Sequence, residues 1–199
     1  MARRATARYN RGMDDAPLKR NTKRISSAIT HYTHLDSPVG PLLIAGADEV
    51  VMLINFPTGS QAQQPRPDWV RDDTMFAEAK RQLDEYFAGE RSEFTMPVEM
   101  DGTDFQKEVW TALRAVPFGA TVSYGDLANK IGRPKASRAV GAANHANPLP
   151  IVVPCHRVIG SDRSLTGFGG GLETKQTLLA FENPTAHRQD TQQDLFQSA

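Results

Sequence analysis

The sequence predicts an α+β fold: a small N-terminal β-meander with one helix, followed by a mainly helical C-terminal part that contains a helix-turn-helix. Three observations carry this prediction. Between residues 30 and 56 the apolar residues come in short runs broken by Gly, Pro and Asp. From residue 73 the apolar spacing becomes helical, and after residue 103 short helical segments alternate with Gly- and Pro-containing turns.

Residues 1–26 read as a basic, disordered arm, polar and without apolar periodicity. Residues 30–35 read as a strand, 36–40 as a turn, 41–45 as a second strand and 50–56 as a third. A polar loop rich in Gly, Gln and Pro covers 57–68. Residues 73–88 read as a helix with Phe76, Ala79, Leu83 and Phe87 on one face and Gly89 ending it. Residues 94–98 read as one more strand. An N-terminal α+β domain over 27–98 follows, with no feature that suggests chemistry; His31 and His34 read as surface residues.

The C-terminal domain, 99–183, opens on Thr103-Asp104-Phe105-Gln106, a capping box in which Thr103 accepts from the amide three residues on and Gln106 reaches back. Phe105, Val109, Trp110 and Leu113 then mark an amphipathic helix ending before Pro117. Ser123 caps a short helix over 124–131 that Gly132 stops; Arg133-Pro134 turns the chain into a small-residue helix over 135–144. Two short helices joined by a tight turn match a helix-turn-helix, in which Arg138 is the long cationic side chain of the second helix. Residues 166–171 form a flexible Gly-rich loop that lacks the lysine and hydroxyl of a phosphate-binding loop. Residues 172–181 read as a last helix with Glu182 at its end, and 184–199 as a polar tail.

Composition limits the function classes. A hydrophobic content of 39% with 23% charged residues is ordinary for a soluble globular protein, and no apolar stretch approaches the roughly 20 residues of a membrane-spanning helix. The net charge of zero hides an asymmetry: residues 1–24 carry eight Lys/Arg against two Asp, whereas 25–100 carry five against twelve Asp/Glu. Overall charge therefore gives no evidence for nucleic-acid binding, and any such contact is local. One cysteine and no secretory pattern point to a cytoplasmic protein.

Cys155 is the only cysteine in 199 residues, which excludes an internal disulfide and a multi-thiolate zinc site. It is either an inert buried residue, the commoner case, or a nucleophile. Its neighbours favour the second: His156 follows, Arg157 adds positive charge, and Pro154 interrupts any regular helix. Neighbours on a strand point to opposite faces, so His156 is expected to reach the sulfur through a water, with a carboxylate behind its ring. Glu182, Asp126 and Asp162 are candidates among which spacing does not choose.

Pro154-Cys155-His156-Arg157-Val158-Ile159-Gly160, preceded by Asn147-Pro148-Leu149-Pro150-Ile151, closely resembles the active-site signature of the O6-alkylguanine-DNA alkyltransferases. The resemblance extends over 103–182 and more loosely over the preceding domain through Leu35-Asp36-Ser37-Pro38-Val39-Gly40. It implies direct reversal of alkylation damage in double-stranded DNA by a monomer without cofactor or metal. Cys155 then matches the alkyl acceptor, His156 the histidine that takes the thiol proton through a water, Glu182 the carboxylate completing the relay and Asn147 the brace of the active-site turn. Tyr124 matches the tyrosine that hydrogen-bonds the flipped guanine, and Arg138 the arginine that replaces the extruded nucleotide. Ser123, Lys135 and Ala136 fall beside them at the DNA. Pro150, Phe168, Gly169 and Gly170 fall at the base pocket with Val158, whose carbonyl is expected to read the guanine amino group. Gly169 departs from the serine that many members carry there.

A non-catalytic lesion-binding module of the same fold and a cysteine hydrolase are the alternatives. Cys155 with His156 and Glu182 argues against the first; the need for turnover argues against the second. In the tail, Gln192-Gln193-Asp194-Leu195-Phe196 resembles the short peptide by which bacterial proteins bind the polymerase sliding clamp. Gln192, Asp194, Leu195 and Phe196 are the residues expected to bind, and the setting so implied is the bacterial nucleoid.

Overall fold

The computed structural model describes residues 29–184; the basic arm and the Gln192–Phe196 motif lie outside the described residues. The first half is a sheet backed by one helix. Strands β1 (His31–Leu35), β2 (Leu42–Ala47) and β3 (Val50–Asn55) form an antiparallel meander. Asp48 and Glu49, both at positive φ, make the tight β2–β3 turn, whose backbone twist matches that of the paired strands. The sheet order is β3-β2-β1-β4, because β4 (Val70–Arg71), in the stretch between the polar loop 57–68 and the first helix, pairs parallel with β1. Trp69 explains that addition: it packs with Leu43 and Ala45 on the outer face of β2, so β2 is buried on both sides. Residues 94–98 contribute only a single bridge, Val51 to Val98, instead of a strand.

Helix α1 (Ala77–Phe87) starts four residues later than its periodicity suggests. Asp72 accepts from the amides of Thr74 and Met75 and holds those residues in a turn. Its buried face is Ala79, Gln82, Leu83 and Tyr86, and Phe87 is only half-buried. This small rotation matters, since it aims Tyr86 at the second half of the chain.

That half is helical. Helix α2 (Asp104–Arg114) begins with the expected Thr103–Gln106 capping box, and its Trp110 indole donates to the Ala143 carbonyl at 2.8 Å. Strand β5 (Val122–Ser123) leads into α3 (Tyr124–Lys130), which is followed by α4 (Ser137–His145). Gly132, at φ 71, closes α3 with bonds from Gly132 N to Asn129 O and from Arg133 N to Ala128 O, the paired bonds of a Schellman stop. Helix α4 starts two residues after the sequence-based boundary, so Lys135 and Ala136 lie in the turn before it. Strand β6 (Val158–Ile159) pairs parallel with β5, and α5 (Leu172–Glu182) closes the fold. Ile44, Ile54, Leu83, Trp110, Leu127, Val153 and Leu178 belong to one continuous core, so the sheet and the helices support one another.

Candidate functional site around Cys155

Cys155 sits at the start of a single 3-10 turn, Cys155–Arg157, where a strand geometry was expected. Pro154 has φ −79 and ψ 66, and Cys155 N donates to Val153 O at 2.7 Å, which is an inverse γ-turn. Ile151 just before it lies at φ 74, a left-handed conformation that costs a β-branched residue about 1–3 kcal/mol. Asn147 holds this turn. Its Nδ2 donates to Val153 O at 2.8 Å and to the Cys155 sulfur at 3.1 Å, while its Oδ1 accepts from Leu149 N. Asn144 adds a bond to Cys155 O at 3.3 Å.

Behind the thiol lies a buried polar network centred on Glu182. Its carboxylate receives Tyr86 Oη (2.8 Å), Gly119 N (3.1 Å) and two bonds from Arg157 (both 2.8 Å), and it faces His156 Nε2 at 2.9 Å. Burial alone would raise the Glu182 pKa, but the bonds from His156 and Arg157 outweigh it and hold the group well below the carboxylate range. Burial lowers the His156 pKa against the opposite pull of Glu182, so the ring rests neutral. With an ionised acceptor on Nε2, the ring proton is on Nε2 and the lone pair on Nδ1. Nδ1 is buried and meets no hydrogen-bond donor among the described residues. The arrangement can therefore take up a proton at Nδ1 and stabilise the resulting imidazolium through Glu182.

Of the three candidate carboxylates, only Glu182 is in this network. Asp126 caps α3 by bonding Ser123, and Asp162 caps a turn at Ser164. Arg157 does not stabilise the thiolate, because its charge is spent on Glu182 and its Nη1 donates to Val116 O. Lys175 supplies the positive charge near the sulfur: fully buried, it donates to Val158 O at 2.6 Å and Thr166 O at 2.7 Å. Burial brings its pKa down to about 8, partly opposed by Cys155. Burial likewise pushes the Cys155 thiol up to about 11, with Asn147 and Lys175 pulling the other way.

A thiol raised from 9.0 to about 11 carries about a hundredfold less thiolate at neutral pH than an ordinary one. In the absence of DNA, iodoacetamide is expected to label Cys155 about that much more slowly than free cysteine, with a rate that climbs until the pH nears 11. A labelling rate that levels off near the ordinary thiol pKa would show that the sulfur is not desolvated.

A narrow cleft opens on Cys155 and is lined by Asn147, Pro150, Phe168, Gly169 and Gly170, and by Asn144 and His145 from α4. Residues of the first half, from Ile54 to Ala62, line its other side. Tyr124 is half-buried near this cleft, its hydroxyl donating to Thr166 O at 3.3 Å, and its ring lies beside Gly141 of α4. Arg138 and Lys135 are exposed on the outer side of the helix-turn-helix, with Ala136 half-buried between them. Ser123 uses its hydroxyl to cap α3. Val158 is fully buried and its carbonyl already accepts from Lys175, so it does not face the cleft unengaged. The Gly-rich segment is not a free loop: Phe168 and Gly170 are buried and Gly169 O accepts from Gln61 N.

Three residues escaped the sequence reading. Tyr86 was legible as the alternative helical face 79–82–83–86. Lys175 falls on the stripe of α5 that includes Leu178 and Glu182, where a charged residue signals a buried partner. Gln61 lies in a polar loop with no periodic pattern, and nothing in the sequence distinguishes it.

A single buried thiol, a carboxylate–imidazole pair beside it and a cleft ending at the second helix of a helix-turn-helix point to a class of nucleic-acid-directed proteins that react through their own cysteine. The comparisons with known proteins narrow that class. Residues 104–184 match the DNA binding domain of 6-O-methylguanine DNA methyltransferase, and residues 30–100 match its ribonuclease-like domain. The methylated-DNA–protein-cysteine methyltransferase of Methanosarcina acetivorans is 48% identical over 76% of this chain and 97% of its own length. That of Mycobacterium leprae is 50% identical over 76% of this chain and 92% of its own. Mycobacterium tuberculosis OGT, solved in complex with DNA, superposes with a TM-score of 0.72 at 47% identity, covering 78% of this chain and 94% of that one. The chain belongs to the 6-O-methylguanine DNA methyltransferase family.

Proposed function

We propose that this protein repairs O6-alkylguanine in DNA by moving the alkyl group irreversibly onto Cys155, once per molecule. The observation that carries the proposal is the buried Glu182–His156 pair, whose Nδ1, without a hydrogen-bond partner among the described residues, is a proton acceptor in the residue next to the lone thiol. The target atom lies inside the duplex, so the base is flipped out, at a cost of a few kcal/mol. Arg138, exposed in the first turn of α4, fills the vacated stack.

In the cleft the Cys155 S–H proton passes through a water to His156 Nδ1. The sulfur then attacks the alkyl carbon, a C–S bond forms as the O6–C bond breaks, and the electron pair leaves with the guanine. Tyr124 donates its hydroxyl to the base and stabilises that developing charge. Because a thioether has no route back to a thiol here, the reaction is stoichiometric. Incubation with an O6-methylguanine duplex is expected to add one methyl group to the intact mass, at Cys155, without turnover. Binding without a mass change would instead favour a non-catalytic lesion binder, and catalytic product formation a hydrolase.

The tail sequence Gln192-Gln193-Asp194-Leu195-Phe196 supports a second contact, with a bacterial sliding clamp. A peptide of residues 190–199 is expected to bind purified clamp, and replacing Leu195 and Phe196 by alanine to abolish it. A native peptide with no detectable binding would remove this partner.

A further inference from the structure

The cleft over Cys155 has two walls, and one of them comes from the first half of the chain. Its key side chain is Gln61, half-buried at the cleft. Gln61 Nε2 donates to the carbonyl of His145, the last residue of α4, and Gln61 N donates to Gly169 O at 3.1 Å. Gln61 therefore reaches the end of the second helix-turn-helix helix with its side chain and the Gly-rich segment with its main chain. Asn55 at the end of β3 braces it from behind, donating to Gln61 O at 2.8 Å and accepting from Gln63 N at 3.1 Å.

The glycines follow from this contact. A Cβ on Gly169 would lie 2.5 Å from Gln61 Oε1, and one on Gly170 would lie 2.4 Å from the Phe56 ring. On the other side, a Cβ on Gly59 would lie 2.2 Å from Gly169 O. At Gly59 the backbone of the Gly-rich segment itself excludes a side chain, whereas at Gly169 the space a side chain would take is held by the Gln61 carboxamide.

We propose that Gln61 is a specificity-determining residue of the cleft: by bonding the end of α4 and filling the space beside Gly169, its side chain fixes the cleft width and limits the size of the alkyl group that reaches Cys155. This rests on the alkyl-transfer reading above. Removing the side chain frees the end of α4 from the loop and vacates the space beside Gly169, while the main-chain bond to Gly169 O stays; the wider cleft favours a bulky adduct more than a methyl. Pocket changes of about one side-chain group shift relative rates about tenfold or more.

The test is single-turnover transfer from matched duplexes carrying O6-methylguanine or O6-benzylguanine, followed by intact mass, for the full chain and for Gln61→Ala. The expected result is a benzyl-to-methyl rate ratio raised about tenfold in the variant. Gln61→Met keeps the length without the donor and is expected to raise the ratio in the same direction; it serves if the alanine variant is unstable. A ratio unchanged in both variants, including equal slowing on both adducts as a general loosening of the fold would give, overturns the proposal. Failure of the parent protein to take up methyl would instead overturn the alkyl-transfer reading.

Discussion

Replacing Cys155 by serine is expected to abolish alkyl transfer while leaving affinity for lesion-containing DNA within about threefold of the parent, a change of under about 0.7 kcal/mol. The hydroxyl takes the place of the sulfur and still accepts from Asn147 Nδ2, now 3.1 Å from the sulfur, so the γ-turn and the cleft wall persist. Its chemistry does not persist. A serine hydroxyl holds its proton far more tightly than a thiol, and His156, whose own pKa burial has lowered, is too weak a base to remove it. Intact mass after incubation with an O6-methylguanine duplex reads the transfer, and titration of a labelled duplex reads the binding. A methyl group found on the serine variant would mean that the acceptor lies elsewhere. Loss of binding together with transfer would mean that Cys155 holds the fold of the helix-turn-helix, which its position after α4 does not suggest.

The sequence exposed those features whose signals are local. The Thr103–Gln106 box, the Ser123 cap and the Gly132 stop are written in adjacent residues and reappear as hydrogen bonds. The Cys155–His156 pair was legible because a lone cysteine beside a histidine is rare in a bland composition. The choice of Glu182 over Asp126 and Asp162 was not, since it depends on which end of which helix returns to the thiol. That return is set by packing of Phe118 and Phe181 around Tyr86, a long-range contact between halves of the chain. The same reason hid the role of the first half. Its loop 57–68 has turn-forming composition and no period, yet Gln61 meets His145 and Gly169 across the fold. The expectation of a strand around Cys155 failed because Pro154 turns the chain into a 3-10 turn and Ile151 adopts positive φ, a conformation no propensity assigns to isoleucine; Asn147 braces the segment through Leu149, Val153 and Cys155.

The second large effect is expected from Glu182→Gln, and it has two separable readouts. Arg157 is nearly fully buried and both its bonds to a side chain end on Glu182, so neutralising the acceptor leaves a buried charge without its partner, a cost of about 3–5 kcal/mol. The pH dependence identifies the cause. Bonds from His156 and Arg157, acting against burial, hold the Glu182 pKa below its ordinary value of 4.5. A group whose folded pKa is depressed contributes stability that is full above the unfolded pKa and is lost as pH falls through the folded one. The parent protein is therefore expected to lose stability as the pH drops below about 4.5, and the glutamine variant, weaker at neutral pH, to lose less over the same interval, so that the two thermal-midpoint curves converge in acid. Parallel curves would assign the acid limb to other carboxylates. The kinetic readout follows from the same charge: an imidazolium at His156 without Glu182 opposite it is costly, and methyl transfer, measured where both proteins are folded, is expected to slow by about a hundredfold or more. Tyr86→Phe provides the control, because it removes one neutral donor from the carboxylate at about 0.5–1.5 kcal/mol and leaves the charge in place. If the slowing came only from a loosened network, Tyr86→Phe would share it in proportion to its stability loss; if it comes from the missing charge, the phenylalanine variant keeps most of the parent rate.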